Sequence, residues 1–219
     1  MALEVIIFDM DGVIVDTEYY DFQIQKDFIR KFNPSSSYEE SELLQLVGKS
    51  YYNLYKLLQN FIGDKLSISQ IEDEYARFSE ERYRSIDYKK LFRKDIELIL
   101  KFAKANNIRL AVASSSKKQH IIEVLKACNI YQYFDYIESG ECFLESKPNP
   151  DIYKSVLKKF SVINENCIAI EDSYSGIEAA TAAGIPTIGY YDERLPFFNS
   201  KASWKVENMR QVYEIISNL

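Results

Sequence analysis

Short apolar runs rich in β-branched residues recur along the chain, and such runs are typical of strands buried on both faces of a sheet. The first opens the chain and ends at once in a polar segment that contains two aspartates and a glycine. We predict five strands from these runs, at residues 3–8, 108–113, 134–137, 167–170 and 186–190.

Apolar residues at helical spacing fill the segments between the later strands. Residues 95–105, 117–127 and 151–160 each place their apolar side chains on one helical face. Strands that alternate with amphipathic helices are the pattern of βαβ units. We therefore predict an α/β fold, a Rossmann-like parallel sheet flanked by helices.

The stretch from residue 17 to residue 85 interrupts this alternation. Its apolar residues recur at helical spacing in several segments, and it contains no convincing strand. Long connecting helices within one domain are an alternative, but a single crossover would not use about seventy residues. We therefore predict an inserted all-α cap domain at 17–85 and an α/β core formed by 1–16 and 86–219.

Composition narrows the possible partners and the location of the protein. The 219 residues carry a net charge of −6 at pH 7, which argues against a nucleic-acid partner and against binding to anionic membranes. No apolar run approaches the ~20 residues that span a bilayer, and Asp9 and Asp11 lie where a signal peptide would need its cleavage site. We expect a cytoplasmic protein that works as a monomer.

Rare residues limit the chemistry that the chain can perform. His120 is the only histidine of the sequence, so a site built on two histidines is excluded. The three cysteines, Cys128, Cys142 and Cys167, are widely spaced and form no CxxC pair. We predict that they are small buried residues in a reducing compartment, and that carboxylates carry any catalysis.

Acidic residues follow two of the predicted strands. Asp9 and Asp11 come after the first strand, and Glu171 and Asp172 follow the strand at 167–170. Each pair alone could be a surface turn, but the carboxyl ends of parallel strands meet in one crevice. Oxygen ligands of this kind suit Mg²⁺, which can bridge carboxylates to a substrate phosphate.

Hydroxyl and ammonium groups lie at two further strand or helix ends. Ser114, Ser115 and Ser116 follow the second strand, where hydroxyls and free backbone N–H groups at a helix start favour a phosphate. Simple helix capping is the alternative for these serines. Lys147 and the loop at Ser114 could balance the remaining phosphate charge, and Lys117 either contacts the phosphate or is a solvated residue of the helix that follows.

The order of these residues strongly resembles the motifs of the haloacid dehalogenase-like superfamily. The resemblance covers essentially the whole chain, including a helical cap inserted after the first motif, and residues 170–184 resemble the helix of the fourth motif. The matching positions are Asp9-Met10-Asp11-Gly12-Val13, Ser114, Lys147 and Glu171-Asp172.

The resemblance implies catalytic roles for four residues. Asp9 is expected to be the nucleophile that forms an aspartyl-phosphate. Asp11 is expected to protonate the leaving oxygen and then to activate water. Ser114 and Lys147 are expected to hold the transferring phosphoryl group, with Lys147 also restraining Asp9.

The resemblance also implies a Mg²⁺ site and a substrate site. Asp9, Glu171 and Asp172 are expected to bind the metal with their carboxylates, and Asp11 with its backbone carbonyl. Phosphate or substrate contacts are expected from Gly12, Ser115, Lys117, Lys49 and Tyr51.

Three features of the sequence distinguish between the activities known in the superfamily. Dehalogenases lack the second aspartate, so Asp11 disfavours dehalogenation. β-Phosphoglucomutases carry an arginine that grips the distal phosphate where this chain has Tyr51, and a histidine after the pair Asp16-Thr17 where this chain has none. Tyrosine cannot reproduce the bidentate contact of arginine with phosphate, although Lys49 or Arg82 could take the place of that arginine.

We therefore expect a Mg²⁺-dependent phosphatase that acts on a small phosphorylated metabolite, in particular a sugar phosphate. A phosphosugar mutase of the β-phosphoglucomutase type is the alternative. A non-catalytic ligand-binding protein is a further alternative, which the retention of both Asp9 and Asp11 disfavours.

Overall fold

The computed structural model describes residues 3–35, 37–49, 51–63, 65–196 and 199–219. The chain divides into two compact units, one formed by the segment up to Asp16 together with Tyr88–Leu219, the other by Thr17–Asp87. None of the helices in the described ranges combines the length and the apolar character that crossing a bilayer requires.

The first unit is built on a parallel sheet, which confirms the predicted fold class. Phe8 at the end of the first strand is aligned with Val112 on one side and with Ile170 on the other, so three strands end within two residues of the same level. The strands, in the spatial order β3-β2-β1-β4-β5-β6, are β1 (Val5–Phe8), β2 (Arg109–Ser114), β3 (Tyr136–Ser139), β4 (Cys167–Glu171), β5 (Thr187–Tyr190) and β6 (Trp204–Val206).

The second unit contains helices joined by loops, and its described residues include no strand. Phe28 and Tyr75 pack edge to face with their ring centroids 5.2 Å apart, and Leu58 and Ile71 in the same unit are fully buried. Its helices are α1 (Thr17–Phe32), α2 (Glu40–Leu43), α3 (Tyr51–Ile62) and α4 (Ile68–Arg84).

Helices cover both faces of the sheet in the first unit. Alternate residues of β1 point to opposite faces, so Ile6 and Phe8 belong to one apolar core and Val5 and Ile7 to the other. The helices of this unit are α5 (Tyr88–Leu91), α6 (Ile96–Ala105), α7 (Lys118–Ala127), α8 (Asp151–Phe160), α9 (Tyr174–Ala182) and α10 (Met209–Ser217).

The cysteines are only partly placed as expected. Cys128 and Cys167 are buried free thiols, and burial raises the pKa of Cys167 to about 12. Cys142 is exposed, so its predicted burial is wrong. It ends a short 3₁₀ turn, Gly140–Cys142, that follows β3 and leaves the sheet.

Candidate active site

The loop after β1 carries the two aspartates of the first motif. The amide of Asp9 donates to the carbonyl of Ile170 at 3.0 Å, which continues the pairing of β1 with β4. Gly12 has a φ of +80° and donates its amide to the carbonyl of Val15 at 2.7 Å. This left-handed turn, which glycine adopts without strain, places Asp9 and Asp11 on one short loop.

Lys147 joins the ends of three strands through its ammonium group. Its Nζ donates to Oδ1 of Asp9 at 2.6 Å, to Oε1 of Glu171 at 2.6 Å and to the carbonyl of Ala113 at 2.9 Å. The three contacts use all the donors of an ammonium group. Burial opposes the charge of Lys147, but the two carboxylates outweigh it and raise its pKa, so the side chain stays protonated.

The ion pair with Lys147 does not fully compensate for the burial of Asp9 and for the negative charges near it. Burial raises the pKa of the Asp9 carboxyl well above its usual range, and the nearby carboxylates of Glu171 and Asp11 raise it further. Lys147 opposes these effects but does not cancel them. A bound cation would favour the ionised form that a nucleophile needs.

The carboxylates after β1 and β4 could hold a divalent cation. Asp9, Glu171 and Asp172 each offer an oxygen, and these atoms lie within 4.8 Å of one another. An all-oxygen donor set with excess negative charge fits Mg²⁺. The contribution expected from the backbone carbonyl of Asp11 stays a prediction.

Tyr153 belongs to this cluster, although its sequence pattern did not assign it a role. Its hydroxyl donates to Oε1 of Glu171 at 2.5 Å, and Nζ of Lys147 lies 5.2 Å from its ring centroid. Burial raises the pKa of Tyr153, and Glu171 raises it further, so the hydroxyl stays protonated as a donor. In the sequence this residue is one more aromatic position on the core-facing side of α8.

The serines at the end of β2 bind each other and the side chain of Asp11. The amide of Ser116 donates to Oγ of the buried Ser114 at 3.1 Å, and Oγ of Ser116 donates to Oδ2 of Asp11 at 2.9 Å. Oγ of Ser139 donates to the carbonyl of Ser116 at 2.7 Å. Ser116 therefore orients the side chain of Asp11, a role that sequence reasoning had not assigned.

The remaining candidate residues are exposed. Ser115 and Lys117 lie just before α7, and Lys117 is its N-cap residue with no side-chain capping bond. Lys49 and Tyr51 belong to the second unit, where Tyr51 is 71% exposed and stacks on Tyr55 with ring centroids 6.0 Å apart. Their contacts with phosphate or substrate stay predictions.

Gly176 explains how the Glu171 carboxylate fits beneath α9. Its amide donates to Oγ of the N-cap residue Ser173 at 3.0 Å. A Cβ at position 176 would lie 2.0 Å from Oε2 and 2.2 Å from Cδ of Glu171. The missing side chain therefore gives the carboxylate its space.

We expect Gly176→Ala to lower both the melting temperature and the affinity for Mg²⁺. Alanine in a helix is favoured over glycine by about 1 kcal/mol, but overpacking against Glu171 costs about 1–3 kcal/mol and displaces the carboxylate. Thermal unfolding and calorimetric titration with Mg²⁺ measure the two effects. Ser175→Ala, on the same helix, is the control, and a Gly176→Ala protein more stable than wild type with unchanged Mg²⁺ affinity would contradict this account.

Comparison with known proteins supports the resemblance that the motifs indicated. A family model described as haloacid dehalogenase-like hydrolase matches residues 6–190. A phosphorylated carbohydrates phosphatase of Thermotoga maritima is 31% identical over 186 residues, which cover 85% of this chain and 84% of that protein.

Two further relatives are named as β-phosphoglucomutases. The enzyme of Bacillus subtilis is 28% identical over 191 residues, which cover 85% of this chain and 83% of that enzyme. A crystal structure from Clostridium difficile is 27% identical, with a TM-score of 0.72, and the match covers 100% of this chain and 96% of that one. Because the family model matches residues 6–190, well over half of the sequence, the chain belongs to the haloacid dehalogenase-like hydrolases and is an enzyme of that family.

Proposed function

We propose that the protein is a Mg²⁺-dependent phosphatase of a small phosphorylated metabolite, in particular a sugar phosphate. The observation that carries the proposal is the Asp9 carboxylate, which Lys147 holds on the same loop as Asp11 and beside the acids at the end of β4. The phosphatase named for T. maritima supports the choice of a phosphorylated carbohydrate.

The first step is transfer of the phosphoryl group to Asp9. A carboxylate oxygen of Asp9 forms a bond to phosphorus while the bond from phosphorus to the ester oxygen breaks. Asp11 gives its proton to the leaving oxygen. Lys147 holds the attacking carboxylate in place through its 2.6 Å contact.

The second step returns Asp9 to its starting state. Asp11, now ionised, takes a proton from a water molecule as that water attacks phosphorus. The bond between phosphorus and the Asp9 oxygen breaks, and inorganic phosphate leaves. Asp11 is thereby protonated again and ready for another cycle.

The donor set of Asp9, Glu171 and Asp172 fits Mg²⁺, and these residues would hold the ion. When bound, it neutralises charge on the phosphoryl oxygens and on the carboxylates around them.

The cytoplasmic location and the monomeric state remain predictions.

A phosphosugar mutase is the second candidate. The β-phosphoglucomutases of B. subtilis and C. difficile favour it, because each matches most of the chain. Tyr51, standing where the mutases carry an arginine, favours the phosphatase, because a mutase must hold both phosphates of its bisphosphate intermediate.

Phosphate release with and without Mg²⁺ tests the proposal. We expect hydrolysis of p-nitrophenyl phosphate and of members of a sugar-phosphate panel, its loss in EDTA and its return when Mg²⁺ is added back. No activity above that of Asp9→Asn on any of these substrates would overturn it. Rapid conversion of β-glucose 1-phosphate to glucose 6-phosphate, with glucose 1,6-bisphosphate present, would instead support the mutase.

A further inference from the structure

Arg93 lies between α5 and α6 and uses all three nitrogens of its guanidinium group. Nε donates to the carbonyl of Gly12 at 3.0 Å, one terminal nitrogen to the hydroxyl of Tyr190 at 2.8 Å, and the other to Oδ1 of Asp16 at 3.2 Å. The guanidinium carbon also lies 4.3 Å from the ring centroid of Tyr190. The side chain is 16% exposed, so these contacts are largely shielded from water.

The backbone around Arg93 is paired with the loop that carries Asp11. The amide of Arg93 donates to the carbonyl of Ile14 at 3.1 Å, and the amide of Asp16 donates to the carbonyl of Leu91 at 2.9 Å. Backbone and side chain therefore fix Arg93 against the same loop. A shift of this arginine would be passed directly to the turn at Gly12.

A second arginine fixes the carboxylate that Arg93 binds. A terminal nitrogen of Arg194 lies 2.9 Å from Oδ1 and 2.7 Å from Oδ2 of Asp16. Arg194 also pairs with Asp192, whose carboxylate lies 3.7 Å from Arg93. Asp16 is thus held from two sides, which gives Arg93 a rigid anchor.

We propose that Arg93 is a positioning residue for Asp11. It holds the carbonyl of Gly12, the residue next to Asp11, while Ser116 holds the Asp11 carboxylate itself. Without the Arg93 side chain the carbonyl of Gly12 loses this donor, and Asp11 is held less closely in line with the leaving oxygen. The inference rests on the proposed function, because it gives Asp11 the role of the acid.

The leaving group distinguishes this role from a general loss of structure. A strongly basic leaving oxygen needs the proton that Asp11 supplies, whereas p-nitrophenolate departs readily without one. Misplacement of the acid therefore slows aryl phosphates in proportion to the basicity of their leaving groups. A merely destabilised protein slows all of them by the same factor.

Arg109 offers a matched control at the start of β2. It donates to the carbonyl of Phe160 at 3.0 Å and to Oε2 of Glu4 at 3.0 Å, and its guanidinium carbon lies 4.9 Å from the Phe160 ring centroid. This arginine thus has a carbonyl, a carboxylate and a ring as partners, as Arg93 has. It lies at the amino end of its strand, opposite the candidate site.

The experiment compares Arg93→Met, Arg93→Lys, Arg109→Met and Asp11→Asn with wild type on aryl phosphates from p-nitrophenyl to p-methoxyphenyl phosphate. We expect Arg93→Met to lower kcat/KM about tenfold for p-methoxyphenyl phosphate and by no more than about twofold for p-nitrophenyl phosphate. Asp11→Asn should show the same trend more strongly. Arg109→Met should change all substrates equally.

The same leaving-group dependence in Arg93→Met and wild type would overturn the inference. If circular dichroism shows that Arg93→Met does not fold, Arg93→Lys serves as the test instead. Lysine keeps the charge and one donor, so we expect a leaving-group dependence between those of wild type and Asp11→Asn. Wild type without Mg²⁺-dependent hydrolysis of any aryl phosphate or of any member of the sugar-phosphate panel would instead overturn the proposed function. If wild type is active and Arg93→Met shows the same leaving-group dependence as wild type, only the positioning role of Arg93 is overturned.

Discussion

We expect Asp9→Asn to lower the rate of phosphate release by about a thousandfold or more and to retain the fold. The amide of asparagine is a poor nucleophile, but it has nearly the shape of the carboxylate. Lys147 keeps its 2.6 Å contact with Glu171, so the substitution leaves the buried ammonium with a charged partner. Steady-state kinetics on the best substrate of the panel measures the loss of rate, and circular dichroism shows whether the fold is retained.

Asp135→Asn is the control for this change. Oδ2 of Asp135 accepts a hydrogen bond from the amide of Leu110 at 2.8 Å. This carboxylate therefore has a defined partner, as that of Asp9 has, but it lies outside the acid cluster. Its replacement should leave kcat within about twofold of wild type, as expected for a residue away from the reaction. An Asp9→Asn protein as active as the Asp135→Asn protein would show that the nucleophile lies elsewhere.

Lys147→Met should have the largest effect on stability. It removes the ammonium from between Asp9 and Glu171, whose side chains are 10% and 0% exposed. Removing one partner of a buried ion pair costs about 3–5 kcal/mol, because the other charge remains buried. Urea unfolding without metal should show this loss, and phosphate release should fall at least about a hundredfold.

Lys201→Met is the control for the loss of an ammonium group. Lys201 pairs with Glu178 at the surface, where its side chain is 57% exposed, so little change in the free energy of unfolding is expected. Added Mg²⁺ should restore part of the stability of Lys147→Met, since the clustered carboxylates still attract a cation. An unchanged free energy of unfolding in Lys147→Met would contradict the buried pair.

The central strands could be predicted because both of their faces are buried. β1 and β4 are covered by helices on either side, so their sequences are nearly continuous apolar runs. β6 was missed, because only three residues pair at the sheet edge and Lys205 interrupts the apolar pattern. Such a segment cannot be told from a loop by periodicity.

The candidate site was predictable where it follows strand ends. Asp9 and Glu171 could be placed in one crevice because parallel strands end together. The contacts of Tyr153, Ser116 and Arg93 could not be predicted, because a hydroxyl or guanidinium finds its partner only once distant segments are packed. Their sequence patterns are those of core aromatics, helix caps and surface cations.

Phosphorylation of Asp9 during turnover is the central claim, and a single-turnover experiment tests it most directly. Excess enzyme is mixed with Mg²⁺ and a substrate carrying a radioactive phosphoryl group, quenched in acid at short times and digested. Label should appear on the peptide that contains Asp9 and then pass to inorganic phosphate, with none in Asp9→Asn. An active wild type that releases phosphate with no label on that peptide at any time would contradict the account.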